Sequence, residues 1–248
     1  MTEDSAKIAL KLAIAAVFAA LVWVATMSFI VSVPATTGYF NIGETVIYVA
    51  AMLFGPLVGA FAGGVGAAFA DALVAPSFAP GTLVIKAFEG TIVGFLNKKM
   101  LVKASRSRWK IYTVLLGVIV GLLIAVICSI YYSGEVQLYL GYPQPQNPTL
   151  TLFIPFEFWY ILGGIIAVSI TYVGIKTEPE IGRAILSMIA GGLEMVAGYF
   201  LYEQIVLGKT TAILEIPVNI SQMLIGLIVA VPVTRIILRS LPQLKSQN

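Results

Sequence analysis

Eight stretches of this chain are too apolar to be left in water. They run near residues 8–33, 44–55, 56–75, 82–97, 111–132, 153–175, 184–206 and 216–238. A helix that crosses the hydrocarbon layer needs about 20 apolar residues, because that layer is about 30 Å thick. The 44–55 stretch is short and abuts Gly55-Pro56, so it reads as a half-span or a tilted helix. All eight are rich in Gly and Ala with few breaks, which marks helices rather than the alternation of barrel strands. The first run is too long for a cleavable signal peptide and leads straight into further spans. Hydrophobic residues make up 59% of the chain and charged residues 11%, with a mean hydropathy of +0.96. An ordinary globular chain carries about 25% charged residues. The expectation is an all-α integral membrane protein with about eight segments.

The chain has no His and one Cys, Cys128. That excludes Ser-His and Cys-His catalysis, His-ligated zinc, ordinary haem ligation and disulfides within the chain. No catalytic residues, metal site or cofactor are expected.

The basic residues orient the spans. Lys7 and Lys11 lie at the start of the first. Lys98, Lys99, Lys103, Arg106, Arg108 and Lys110 fill the loop after the fourth. Lys176 and Arg183 flank the loop after the sixth, and Arg235, Arg239 and Lys245 close the chain. If eight helices alternate, these fall on one side, leaving Lys209 on the other and Lys86 inside a helix. By the positive-inside rule, both termini are expected in the cytoplasm of a plasma-membrane protein. The basic 98–110 loop is read as this signal and not as a nucleic-acid site. The other side holds neutral, turn-rich loops at 34–43 and 76–81 and an extended Pro/Gln/Asn stretch within 133–152.

Ionisable residues within a bilayer face a partner or a cavity, because facing lipid costs several kcal/mol. Thr82, Lys86 and Glu89 are spaced i, i+4, i+7 and share one helix face. Glu215, Asn219 and Gln222 repeat the spacing on the last helix, and Met195, Tyr199 and Tyr202 on the seventh. Glu44 and Tyr48 make a shorter pair on the second. At about 1.5 Å per residue, Lys86 and Glu89 lie roughly 6–10 Å from the outer end of their helix. Asn219, Gln222 and Asp71 fall near the same level. This layout predicts an outward-facing pocket for a small polar molecule. Asp71 and Lys86 read equally well as a neutralising pair between neighbouring helices, and Glu194 has no assigned role.

Small residues form a second pattern. Ala9, Ala13, Ala16 and Ala20 are spaced for close helix approach on the first helix, as are Gly55, Gly59 and Gly63 on the third. The glycines read as internal packing, and the alanines as a face for another protein. Gly208-Lys209-Thr210 resembles the end of a phosphate loop, but position 203 is Glu where G-x-x-x-x-G-K-[ST] needs Gly. No ATPase of the chain's own is expected.

The stretches GYFNIGETVIYVAAMLFGPLVGAFAGGVGAAFADALVAP, GTLVIKAFEGTIVGFL, GGLEMVAGYF and AILEIPVNISQMLIG resemble the substrate-binding S component of energy-coupling-factor (ECF) vitamin transporters, riboflavin-type branch. The resemblance covers about residues 1–99 and 184–238. It implies a six-helix core, with residues 100–183 standing as an inserted pair of transmembrane helices within a single membrane domain, 1–248. It also implies a vitamin site, a membrane T component docked on the alanine face, and two cytoplasmic ATPase subunits from other chains. Residues 34–43 match the family's gating loop.

The expected substrate-binding residues are Glu44, Lys86, Glu89, Tyr199, Asn219 and Gln222, with Tyr39, Phe40 and Asn41 on the lid loop. In this reading Lys86 meets an anionic or carbonyl group of the ligand. The rival reading is a solitary ion-coupled transporter using Asp71, Glu89 and Glu194 as a relay. A magnesium-dependent membrane enzyme lacks a DDxxD-like run and ranks below both. The vitamin itself is not named by the sequence.

Overall fold

The computed structural model describes residues 3–33, 36, 38–99, 106–176, 179–206 and 208–247. Eight α-helices form among them: α1 (Glu3–Ser28), α2 (Gly43–Phe54), α3 (Pro56–Val74), α4 (Ala79–Lys99), α5 (Arg106–Tyr131), α6 (Phe156–Lys176), α7 (Pro179–Val206) and α8 (Lys209–Ser240). Six are long and apolar enough to cross a membrane, and α2 and part of α6 are shorter apolar helices. The surface is correspondingly inverted. Phe69 is 64% exposed and Ile205 85%, whereas Glu44 is 1% and Glu89 0% exposed. Apolar side chains turned outward and carboxylates turned inward suit a surrounding of lipid and not of water.

The chain divides into two compact units. One comprises the described residues of 1–100, 141–144 and 184–248, and the other those of 101–140 and 145–183. In the second unit α5 and α6 pack through small residues. A Cβ added at Gly117 would sit 2.6 Å from the Ala167 carbonyl oxygen, and one at Gly121 2.5 Å from that of Gly163. This unit also carries an antiparallel hairpin of β3 (Gly134–Leu140) and β4 (Leu150–Ile154), paired from Gly134↔Ile154 to Leu138↔Leu150. From sequence alone this stretch reads as an extended loop. Its Val, Leu, Tyr and Phe content favours strand pairing.

The first unit holds the remaining six helices. The α2–α3 break follows from Gly55-Pro56. Gly55 adopts φ +86°, a conformation open to glycine, and Pro56 supplies the preset φ of a first helical residue. Glycines then draw α3 onto α4. A Cβ at Gly59 would lie 2.7 Å from the Gly90 carbonyl oxygen, and one at Gly63 2.6 Å from that of Lys86. Gly66 meets the Ala19 carbonyl of α1 in the same way. Apolar side chains fill the interior. Tyr48, Met52, Val93, Met188 and Ala230 form one cluster, and Ala15, Val22, Ile47, Val58 and Ala62 another.

Two boundaries differ from the apolar stretches. Helix α1 ends at Ser28, and Val31–Val33 (β1) pairs antiparallel with Gly38–Phe40 (β2). The β-branched valines there suit a strand better than a helix end. Helix α8 starts at Lys209, seven residues before the apolar run, because polar residues continue a helix past the hydrocarbon edge. It contains Pro217 and Pro232. Pro217 has no N–H to donate to the carbonyl four residues earlier, so the α8 ladder lacks one helical hydrogen bond close to Glu215 and Asn219.

Candidate functional site

The first unit encloses a polar cavity at the end that carries the β1–β2 hairpin. Its lining comes from α1 (Thr26), the hairpin and its exit (Gly38, Tyr39, Asn41), α2 (Gly43, Glu44, Ile47) and α3 (Ala67, Asp71). Phe78 follows, then α4 (Thr82, Lys86), α7 (Tyr199, Glu203) and α8 (Glu215, Asn219, Gln222). The free volume is about 40 Å³, space for on the order of three waters.

The floor is an ion cluster. The Lys86 ammonium donates to Glu44 Oε2 and lies 3.2 Å from Glu89 Oε2. Tyr48 Oη donates to Glu89 Oε1 at 3.1 Å. Lys86 is 4% exposed, so its charge is offset by protein and not by water. Its Nζ also stands 5.6 Å from the Tyr199 ring centroid, within cation–π range. The i, i+3 spacing of Lys86 and Glu89 places both on the α4 face that looks toward α2.

One wall is a chain of hydroxyls ending on Asp71. Tyr39 Oη donates to Asp71 Oδ1 at 2.5 Å, and Thr82 Oγ1 donates to Asp71 Oδ2. Tyr199 Oη lies 2.8 Å from Thr82 Oγ1. A hydroxyl has one proton, and Thr82 gives its proton to Asp71, so Tyr199 is the donor in the remaining bond. Burial, with the Asp71 carboxylate beside it, pushes the Tyr39 phenol far above its ordinary range. Tyr39 therefore remains a protonated donor at any physiological pH.

The opposite wall is built on α8. Asn41 Nδ2 donates to Gln222 Oε1 at 2.6 Å, and Gln222 Nε2 donates to Asn219 Oδ1 at 3.2 Å. Thr36 Oγ1 donates to Glu215 Oε1. The Asn219 amide bonds Glu203, whose Oε2 is buried with no partner.

Of the residues expected from the sequence, Tyr39, Asn41, Glu44, Lys86, Tyr199, Asn219 and Gln222 come together around this one cavity. Glu89 sits beneath it, on Lys86 and Tyr48. Phe40 is not among the lining residues and packs edge-on against Phe29, centroids 6.1 Å apart. Asp71 and Lys86 do not pair with each other: Asp71 accepts from Tyr39 and Thr82, and Lys86 bonds Glu44. Glu194 is half-buried on α7 and is not among the lining residues.

Sequence reasoning missed Thr26, Phe78 and Glu203. For Glu203 the signal was present, because it lies four residues after Tyr199 and shares its face. Tyr202, placed in that stripe, instead donates to the Ser77 carbonyl at 2.8 Å. Thr26 carries no comparable signal, since a lone threonine in an apolar helix commonly bonds its own backbone.

An apolar exterior around a buried, many-helix polar cavity defines a multi-pass membrane protein built around a small-molecule site. A model of the family described as ECF-type riboflavin transporter, S component, matches residues 7–177. The chain belongs to this family of transporter S components. The matched stretch takes in α5 and α6 and stops before α7. A protein of Pyrococcus woesei, described as an uncharacterized protein in the gap 3′ region, is 54% identical over 77 residues, 31% of this chain and 52% of that protein. The chain thus spans about half the length of this curated relative. The family is one of transporter components and not a known enzyme family, and it does not favour the solitary ion-coupled reading.

Proposed function

We propose that this chain is the vitamin-binding subunit of an ATP-driven ECF importer and takes its ligand in the cavity between the β1–β2 hairpin and α2, α3, α4, α7 and α8. The observation that carries this is the convergence of polar groups from six helices and a hairpin on one buried cavity, in a chain of this family. Tyr39 and Asn41 serve as lid groups, and Glu44, Lys86, Tyr199, Asn219 and Gln222 as ligand or wall groups. Glu89 positions Lys86. Riboflavin, the vitamin of the family's name, is the first ligand to try.

In this reading both termini are cytoplasmic, the membrane is the plasma membrane and the cavity opens outward. Residues 1–99 and 184–238 form the S-component core, and 100–183 an inserted helix pair. A T component docks on α1 and couples the chain to two cytoplasmic ATPases. In support, Ala9, Ala13, Ala16 and Ala20 are all exposed, whereas Ala15, Ala19 and Val22 on the same helix are buried. One helix thus presents two faces, one already packed and one of small residues left open.

The test is ligand binding by the purified chain alone. A vitamin screen read by thermal shift and by quenching of intrinsic fluorescence is expected to find at least one stabilising ligand. A folded chain stabilised by none contradicts the proposal. Ala13→Trp is expected to leave that ligand's affinity within about twofold and to abolish co-purification with the T component. Loss of ligand binding in Ala13→Trp would refute the docking role.

A further inference from the structure

We propose that the molecule this cavity takes carries a positive charge, received by Glu203 and Glu215. The inference rests on the proposed vitamin-binding role and narrows its substrate class. Among the described residues, four carboxylates line the cavity, Glu44, Asp71, Glu203 and Glu215, and one cation, Lys86. All five are at most 7% exposed. A buried carboxyl stays ionised only when it is paired, because the bulk solvent that would otherwise offset its charge is excluded; unpaired, it holds its proton.

Lys86 cannot serve the whole set. Its ammonium is committed to Glu44 and Glu89 on the floor. Asp71 is held by two hydroxyl donors, Tyr39 and Thr82. Glu44 Oε1 is also without a hydrogen-bond partner, but the other Glu44 oxygen holds Lys86, whereas Glu203 and Glu215 have no cation among the described residues. Glu215 accepts from the Thr36 hydroxyl, and Glu203 is bonded by the Asn219 amide while its Oε2 has no partner. The unpaired oxygen belongs to a side chain 1% exposed, so nothing in bulk water answers it.

Two neighbouring carboxyls with only neutral donors can give up their protons to water when a cation arrives to pair them, and they offer an anion no counter-charge. Tyr39, Phe78 and Tyr199 line the same space, so the cavity that holds the two carboxyls is also bounded by aromatic residues, a setting that suits a cationic heteroaromatic group. The site is therefore suited to a ring compound bearing a quaternary or protonated nitrogen. An anionic vitamin would meet no counter-charge on the α7–α8 wall, and its one complementary group, Lys86, is already taken.

The experiment compares probes of different charge on the full chain in detergent at one pH. The probes are thiamine as a quaternary cation, riboflavin as a neutral ring and pantothenate as a carboxylate. Thiamine is expected to raise Tm and to bind at least tenfold more tightly than riboflavin, with no shift from pantothenate. The Glu203→Gln/Glu215→Gln double variant is expected to lose at least tenfold in thiamine affinity while still unfolding cooperatively. Riboflavin or pantothenate binding as tightly as thiamine overturns the inference and leaves the S-component reading standing. Unchanged thiamine binding by the double variant also overturns it. If none of the three binds, mass spectrometry of the molecule extracted from the purified wild-type chain decides. A cation supports the proposal, a neutral or anionic molecule overturns it, and no small molecule at all removes the vitamin-binding reading with it.

Discussion

Lys86→Met is expected to lower the stability of the first unit by about 3–5 kcal/mol, the loss seen when one partner of a buried ion pair is removed. The substitution keeps much of the side-chain volume, so a cavity does not explain the loss. What remains is Glu44 and Glu89, 1% and 0% exposed, facing one another across the space the ammonium filled. Adding Glu44→Gln and Glu89→Gln to the variant is expected to restore most of the loss, because two amides need no counter-charge. Unfolding in mixed micelles, followed by tryptophan fluorescence, measures both. A loss below about 1 kcal/mol in Lys86→Met, or no recovery in the triple variant, would show that the cluster is not the electrostatic unit described above.

Gly90→Val ranks next. A Cβ at Gly90 meets the backbone of Gly59, carbonyl included, and the Ala60 nitrogen lies 2.9 Å away. Backbone of a neighbouring helix cannot rotate aside as a flexible side chain can. The two helices must separate, which also shifts Asp71, Thr82 and Lys86 on their facing surfaces. A stability loss of about 3 kcal/mol or more is expected, at or above the upper end of overpacking costs, together with reduced ligand affinity. Gly164→Val is the control, since nothing lies within 4 Å of its Cβ position. Equal losses in the two variants would place the effect in helix propensity and not in helix contact.

The helices were legible because a bilayer imposes one secondary structure and one length on each apolar run. The Gly55-Pro56 break announced itself through residues with strong local preferences. The hairpins were not legible, because Val31–Val33 continues an apolar run and only a tertiary partner, Gly38–Phe40, makes it a strand. Within the site, periodicity found the face of α4 and most of α8. It could not say which polar groups pair. Lys86 and Asp71 lie at the same depth, and sequence spacing offers them to one another as readily as to Glu44 or Tyr39. Pairing depends on helix rotation and azimuth, which the pattern along one helix does not encode. Glu203 was overlooked for a related reason, since positions i+3 and i+4 from Tyr199 differ by one residue and only one turns inward.

The hairpin that closes the cavity sets a kinetic consequence. Tyr39 is tied to Asp71 on α3, Asn41 to Gln222 on α8 and Thr36 to Glu215 on α8, above a space of about 40 Å³. Pockets that hold vitamin-sized molecules measure about 300–1,000 Å³. For the ligand proposed for this cavity, entry is expected to wait for these three ties to part, with binding no faster than the cover lifts. Observed association should level off at high ligand concentration instead of rising in proportion to it. The measured Kd is then the intrinsic Kd divided by the open fraction: a substitution that loosens the cover tightens apparent binding, provided its side chain is not also needed to hold the ligand.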